Sequence, residues 1–190
     1  MIDPIKEKIL NAAQKRMVKF GYRKVTMDEI AQDLTMSKNT IYKQFAGKEE
    51  IARHLVERLK EKINDGLETI EKTDHDPLKI FSASILLLRK LLGPWFEHFF
   101  REIPAELPDV WEEFLRYRND KILAIRSLVE RGIKEEAFRD VRPAIAVQAY
   151  LGAVKSIISP KFLEEEKISF DQALTAVLDI WAHGMLKEKK

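Results

Sequence analysis

Apolar residues recur at three- and four-residue spacing along almost the whole of this 190-residue chain, and no stretch shows sustained two-residue alternation bounded by hairpin signals. That period implies an all-α protein whose helices each bury one stripe. Proline fits the first turn of a helix and glycine the position just past its end, so the two residues punctuate the pattern. The first helix is expected from Asp3, with Pro4 in its first turn, to a stop at Gly21, and Ile9, Ala13, Met17 and Phe20 form its core stripe. A capping box, Thr26 with Glu29, opens the second, with Val25 and Ile30 at staple spacing; it ends near Leu34. After two further residues Ser37 caps a third, with Met36 and Ile41 again at staple spacing.

A fourth helix is expected to start around Gly47 to Lys48, with Ile51, Leu55, Leu59, Ile63, Leu67 and Ile70 on one face. It is long enough to join two domains, and Gly66 inside it is expected to loosen or bend it, at about 1 kcal/mol relative to Ala. Past the polar break from Thr73 to Pro77, helices are expected over Pro77 to Leu92, closed by Gly93-Pro94, over Trp95 to Ile103, and over Pro108 to Arg131, stopped by Gly132. Two more follow, from Pro143 to just before Pro160, and from a second capping box at Ser169 and Gln172 to about Leu186. The expected architecture is about nine helices, three of them in a head over residues 1–48, the rest a helical bundle over 49–190.

Composition narrows the function. The absence of cysteine removes disulfides, thiolate zinc sites and thiol catalysis. The amino terminus alternates charge with apolar residues rather than forming a leader, and the most apolar run, Ile85 to Leu88, is cut by Arg89 and Lys90. A cytoplasmic protein with no membrane partner is expected. Residues 1–50 hold ten Lys/Arg and seven Asp/Glu of the chain's 33 and 31, which leaves 23 against 24 for the remainder, so the head is the basic part. From Lys38 to Lys48 there are three lysines and no acid.

In the third helix, Ile41 and Phe45 are placed inward by their spacing, which turns Asn39 and Lys43 outward, flanked by Thr40 and Tyr42, with Lys38 in the first turn. An amide, an ammonium, a hydroxyl and a phenol on one short helix suit a DNA groove: Asn pairs with adenine, Lys reaches guanine acceptors, and Tyr, Thr and Lys donate to phosphate. Thr26 and Lys48, at the starts of the second and fourth helices, would add phosphate contacts on either side. The same residue types also suit an ordinary solvated face with capping hydroxyls; the order of elements, two capped short helices around a tight turn, is what favours a helix-turn-helix.

The runs Ile9-Leu-Asn-Ala-Ala13, Phe20-Gly-Tyr22, Val25-Thr-Met-Asp-Glu-Ile-Ala31, Met36-Ser-Lys-Asn-Thr-Ile-Tyr42, Phe45 and Lys48-Glu49 resemble the DNA-binding domain of the TetR family of bacterial regulators. The resemblance implies a recognition helix from Ser37 to Phe45, phosphate grips at Thr26, Tyr42 and Lys48, and Lys38, Asn39, Thr40 and Lys43 near bases or adjacent backbone. One position departs from it: many members have Gly where this chain has Thr35, and a β-branched residue resists positive φ, so a different backbone path is expected in the turn.

Beyond residue 50 the resemblance thins to length, helix count and the pattern from Gly132 through Phe138-Arg139. It implies a ligand cavity in this region and a homodimer formed by the last two long helices. Ala146, Ala149, Tyr150, Ala153 and Ile157, with Gly152 beside them, and Leu174, Val177, Leu178, Trp181 and Met185 form two stripes fit for an intersubunit bundle; they fit an intramolecular core as well. A dimer would set two recognition helices one DNA turn apart, matching a palindromic operator. The aromatic cluster Trp95, Phe96, Phe99, Phe100, Trp111, Phe114 and Tyr117, with His98 and Tyr150 as polar groups, is the candidate lining for a small apolar or aromatic effector, and core packing is the alternative.

The expected function is a ligand-responsive regulator, a repressor by family default, that binds double-stranded DNA. An enzyme is the first rival: His54, His75, His98 and His183 are scattered, no metal motif, phosphate loop or nucleophile elbow occurs, and Glu97, His98 and Glu102 lack the paired Glu-x-x-His pattern of a carboxylate bundle. No cofactor, metal or catalytic residue is therefore expected. The second rival is a helical adaptor that uses the same fold to bind protein, which has no need of the acid-free stretch.

Overall fold

The computed structural model of the chain describes residues 3–157 and 160–187, apart from the side chains of Pro160, Lys161, Glu164 and Phe170. Ten helices follow one another in the described residues: α1 (Pro4–Phe20), α2 (Met27–Asp33), α3 (Lys38–Tyr42), α4 (Lys48–Thr73), α5 (Pro77–Glu97), α6 (Phe99–Glu106), α7 (Pro108–Lys134), α8 (Pro143–Ile157), α9 (Pro160–Glu165) and α10 (Phe170–Met185). The fold is all-α, as the apolar period requires, and α9 is the element beyond the expected nine. Two compact units are formed, Met1–Ile63 with Leu91–Tyr117, and Asn64–Lys90 with Arg118–Lys190.

The starts of the helices follow the capping chemistry in the sequence. Asp3 accepts the Ile5 N–H at 2.8 Å ahead of Pro4. Both capping boxes are complete: Thr26 accepts from the Glu29 amide while Glu29 accepts from the Thr26 amide, and Ser169 and Gln172 do the same for α10. Ser37 accepts the Thr40 N–H at 3.1 Å.

The ends follow another rule. Thr35 lies at φ 52, Glu136 at φ 57 and Lys167 at φ 53, each just past a helix. At the first, Thr35 N–H donates to Gln32 and Met36 N–H to Ala31. At the second, Glu136 N–H donates to Ile133 and Ala137 N–H to Gly132, and at the third Ile168 N–H donates to Leu163. These are Schellman-type stops turned on residues with side chains instead of glycine. Thr35 thus takes the left-handed conformation despite its branched Cβ, so the expected departure in the turn path is corrected: two backbone hydrogen bonds and the burial of Ile30 and Ile41 on either side outweigh the strain.

Four further expectations change. The stop at Gly93-Pro94 is not one, since α5 runs on to Glu97 with Pro94 inside it, and the break falls at His98. An interior proline costs about 3 kcal/mol, and here the continued helix buries Trp95. Gly132 does not end α7 but sits in its last turn, where the Phe138 ring lies against the missing side chain: a Cβ there would stand 2.5 Å from Cε2 and closer still to Cδ2. Gly66 does not interrupt α4; a Cβ on it would meet the Leu87 side chain at 2.5 Å, so the glycine admits a close approach of α5. Phe20 leaves the α1 stripe, 44% exposed beneath the Lys19 ammonium.

In the first unit Ile9, Ala13 and Met17 of α1 are buried, as are Ile30, Ile41, Phe45, Ile51 and Leu55. In the second, Trp181 stacks on Phe81 with centroids 3.9 Å apart, meets Tyr150 and Phe138 edge-on, and donates its indole N–H to the Ala146 carbonyl at 2.8 Å. Arg139 N–H donates to the Met185 carbonyl at 2.9 Å, tying the α7–α8 connection to the end of α10.

Candidate nucleic-acid interface

The third helix stands on the surface by virtue of two anchors. Ile41 is fully buried and Phe45 nearly so, while Lys38, Asn39 and Lys43 are exposed and Tyr42 is 50% exposed. The helix proper is shorter than expected, ending at Tyr42, with Lys43 as its cap and Phe45 closing the turn through a 3.0 Å bond from its N–H to the Ile41 carbonyl. Thr40 is half-buried, and its hydroxyl pairs with that of Ser37 at 2.8 Å.

An ion pair invisible in the local sequence joins α2 to α1, alongside the burial of Met27, Ile30 and Ala31. Arg16 of α1 grips Asp33 with two nitrogens, at 2.5 and 2.7 Å, and reaches Glu29 at 3.1 Å. The guanidinium holds the Asp33 carboxyl below the usual carboxylate range. Glu29 is also lowered, first by the Thr26 N–H and hydroxyl and then by Arg16. Arg16 thus holds both ends of α2, Glu29 in its first turn and Asp33 in its last, against the core helix.

Of the expected phosphate and base contacts, Asn39, Tyr42 and Lys43 are each exposed, as is Ser37, the N-cap of α3. Thr26 is exposed but its hydroxyl is engaged in the capping box. Lys38 carries a partner, the Asp28 carboxylate 2.5 Å away on α2. The stretch free of acids in sequence is therefore neutralised in part by an acid ten residues earlier. Lys48 turns its ammonium onto the carbonyls of Tyr22, Arg23 and Val25.

The aromatic residues expected around an effector divide into two groups. Trp95, Phe99, Phe100 and Phe114 are buried in one cluster, with Phe100 and Phe114 stacked at 4.6 Å and Trp111 and Tyr117 half-buried at its side. Tyr117 donates to the Lys60 carbonyl at 3.3 Å, and burial pushes its hydroxyl up to about 12. His98 is exposed at the break between α5 and α6. Tyr150 belongs to the other cluster, with Phe81 and Trp181, where burial likewise raises its hydroxyl.

Of the residues expected at a dimer interface, Ala146, Tyr150, Leu174, Leu178, Trp181 and Met185 are buried within the chain itself, and Val177, Ala153 and Ile157 are partly so. Ala149 is exposed. The outer side of these two helices carries Ile145 and Ile180, 63% and 71% exposed, with Gly152 and Gly184 opening onto empty space. Isolated isoleucines on the polar side of an otherwise amphipathic helix were the available sequence signal for this face. Among the described residues no helix is long and apolar enough to cross a membrane, and no group of three His, Asp or Glu is placed to hold a metal ion.

Residues 9–55 match the family model described as bacterial regulatory proteins, tetR family. The uncharacterized helix-turn-helix transcriptional regulator YhgD of Bacillus subtilis (strain 168) is 29% identical over 144 residues, 74% of this chain and 75% of that protein. A TetR-family transcriptional regulator from Agrobacterium tumefaciens superposes with a TM-score of 0.77 at 17% identity, over 96% of this chain and 98% of that one. The SmeT–triclosan complex superposes with a TM-score of 0.72 at 18% identity, over 98% of this chain and 93% of that one.

Proposed function

We infer that this chain is a helix-turn-helix transcriptional regulator of the TetR family, and from that premise we propose that it represses by binding a palindromic operator as a homodimer, reading it with Asn39 and Lys43. One observation carries the reading: α3 lies on the surface with its amide, phenol and second lysine outward and with Ile41 and Phe45 locked behind it. Residues 1–48 are the DNA-binding part in this proposal and 49–190 the sensing and dimerising part. Tyr42 and Thr26 serve as phosphate contacts, while Ser37, Lys38 and Thr40 set and flank the tip of the helix.

The partner surface in this reading is the outer side of α8 and α10. Ile145 and Ile180 supply apolar area, while Ala149, Gly152 and Gly184 let helices approach closely. The effector is a small apolar or aromatic compound, the class to which triclosan in the SmeT structure belongs. Phe96, which is exposed, and Trp111 and Tyr117, which are half-buried, are the members of the aromatic cluster left open to one. Such a compound releases DNA only by binding better to a dimer form whose recognition helices no longer fit the operator.

Selection of bound duplexes from a random pool should return a palindrome with half-sites about one helical turn apart. Against that duplex, Asn39→Ala and Lys43→Ala should each cost about 1–3 kcal/mol and relax the preferred base. Tyr42→Phe should weaken the selected and a scrambled duplex alike. If all three act equally on both duplexes, the reading face lies elsewhere; if the pool returns nothing, the adaptor reading takes over.

The Asp28–Lys38 pair gives a test of opposite sign. Both side chains are about 60% exposed, which limits the stabilisation from their pairing to about 1 kcal/mol or less. Asp28→Asn should therefore leave the fold intact, free the Lys38 ammonium and raise affinity for every duplex. The salt dependence should steepen by close to one counterion, and a flat or weaker titration would show that Lys38 does not approach DNA.

A further inference from the structure

The connection between α1 and α2 turns three carbonyl groups towards one point, and the first residue of α4 fills it. Lys48 Nζ donates to the carbonyls of Tyr22 at 3.2 Å, Arg23 at 3.4 Å and Val25 at 3.4 Å, and stands 4.3 Å from the centroid of the Tyr22 ring. An ammonium has three donors and no acceptor. Three carbonyls and an aromatic face therefore satisfy it within the chain, in contrast to Lys43, whose side chain is exposed. The same connection is fastened on a further side by Glu102 of α6, which accepts the Arg23 N–H at 2.8 Å.

The place of this bond in the chain gives it leverage. Val25 runs directly into Thr26, the N-cap of α2, and Lys48 begins α4 three residues after Phe45 anchors α3. Joining residues 22–25 to residue 48 closes a ring of chain that contains α2, the turn at Thr35 and α3. We propose that Lys48 is a positioning residue: it latches the start of α4 to the α1–α2 connection, fixes the recognition helix relative to the N-cap of α2, and acts on DNA through that placement instead of by gripping phosphate. The proposal rests on the DNA-binding reading of the head.

The two roles for Lys48 separate in the affinities of the full-length chain for a duplex recovered from a random pool and for a scrambled duplex, each titrated across potassium chloride concentrations. A lost phosphate grip would weaken both duplexes equally and make the log–log salt slope shallower by about 0.9, and Lys48→Arg would restore both, since Arg binds phosphate well. The latch predicts that Lys48→Met leaves the slope unchanged and narrows the ratio of the two affinities about tenfold, the size of one lost base contact. Lys48→Arg should fail to restore it, because a planar guanidinium does not replace a compact ammonium among three carbonyls. A shallower slope with an unchanged ratio, or full rescue by arginine, overturns the latch. So does a stability loss with both affinities intact, which would make Lys48 structural and nothing more.

A measurement without DNA keeps the two readings apart. Under limiting acetic anhydride the unsubstituted protein should acetylate Lys48 severalfold more slowly than Lys43, as read by peptide mass spectrometry, and equal rates overturn the latch. Failure of the pool selection would sink the DNA-binding reading alone, while the acetylation ratio still decides whether the ammonium is held.

Discussion

Trp181→Ala is expected to lower the free energy of unfolding by about 3–5 kcal/mol, the range for removing a large buried aromatic. The side chain is the hub of its unit: it stacks on Phe81, meets Tyr150 and Phe138 edge-on, and supplies the donor for the Ala146 carbonyl. Truncation empties the centre of the cluster and removes the indole hydrogen bond, while the Ala146 carbonyl keeps its place in the helical ladder of α8, so the cavity sets the cost. Urea denaturation at two protein concentrations tests it. A loss in midpoint that is the same at both places the ring in the core of the chain. If raising the concentration tenfold removes most of the loss, Trp181 belongs to a subunit interface.

Gly132→Ala should destabilise by about 2–3 kcal/mol, against the ordinary trend in which alanine improves a helix interior by about 0.5–1 kcal/mol. The opposing term is steric. The new methyl would overlap the Phe138 ring, and the ring is buried beside Trp181 with no side open for retreat. Pairing the change with Phe138→Leu checks the mechanism, since a smaller neighbour should make the double variant less destabilised than the sum of the singles. An unaltered or higher melting temperature for Gly132→Ala would mean that the ring yields.

The starts of the helices were open to reading because a cap is local. Thr26 with Glu29 and Ser169 with Gln172 each lie within four residues, and both boxes form as written. The anchoring of α3 by Ile41 and Phe45 was legible for the same reason, since helical period alone sets which side faces in. What escaped is non-local. The Arg16–Asp33 grip spans 17 residues, and the Lys48 bonds span 23 to 26. Nothing in the acid-free stretch announces that Asp28 folds back on Lys38. Pro94 misled because local propensity favours a stop there while burial of Trp95 draws the helix on. Of the two stripes expected at a dimer seam, Ala146, Tyr150, Leu178, Trp181 and Met185 join one buried cluster within the chain, which helical period alone does not distinguish from an interface.

The turns at Thr35, Glu136 and Lys167 carry a consequence for how this molecule tolerates change. A left-handed residue with a side chain is held at about 1–2 kcal/mol above its relaxed state, so each of these corners can gain from losing atoms, whereas Gly132 cannot accept even one. At 136 and 167 that latitude touches only the scaffold. At 35 it lies next to α3, the helix proposed to read DNA: a glycine there would ease the corner and at the same time slacken the angle at which α3 is presented, which on that proposal sets robustness and accuracy of reading against each other at a single residue.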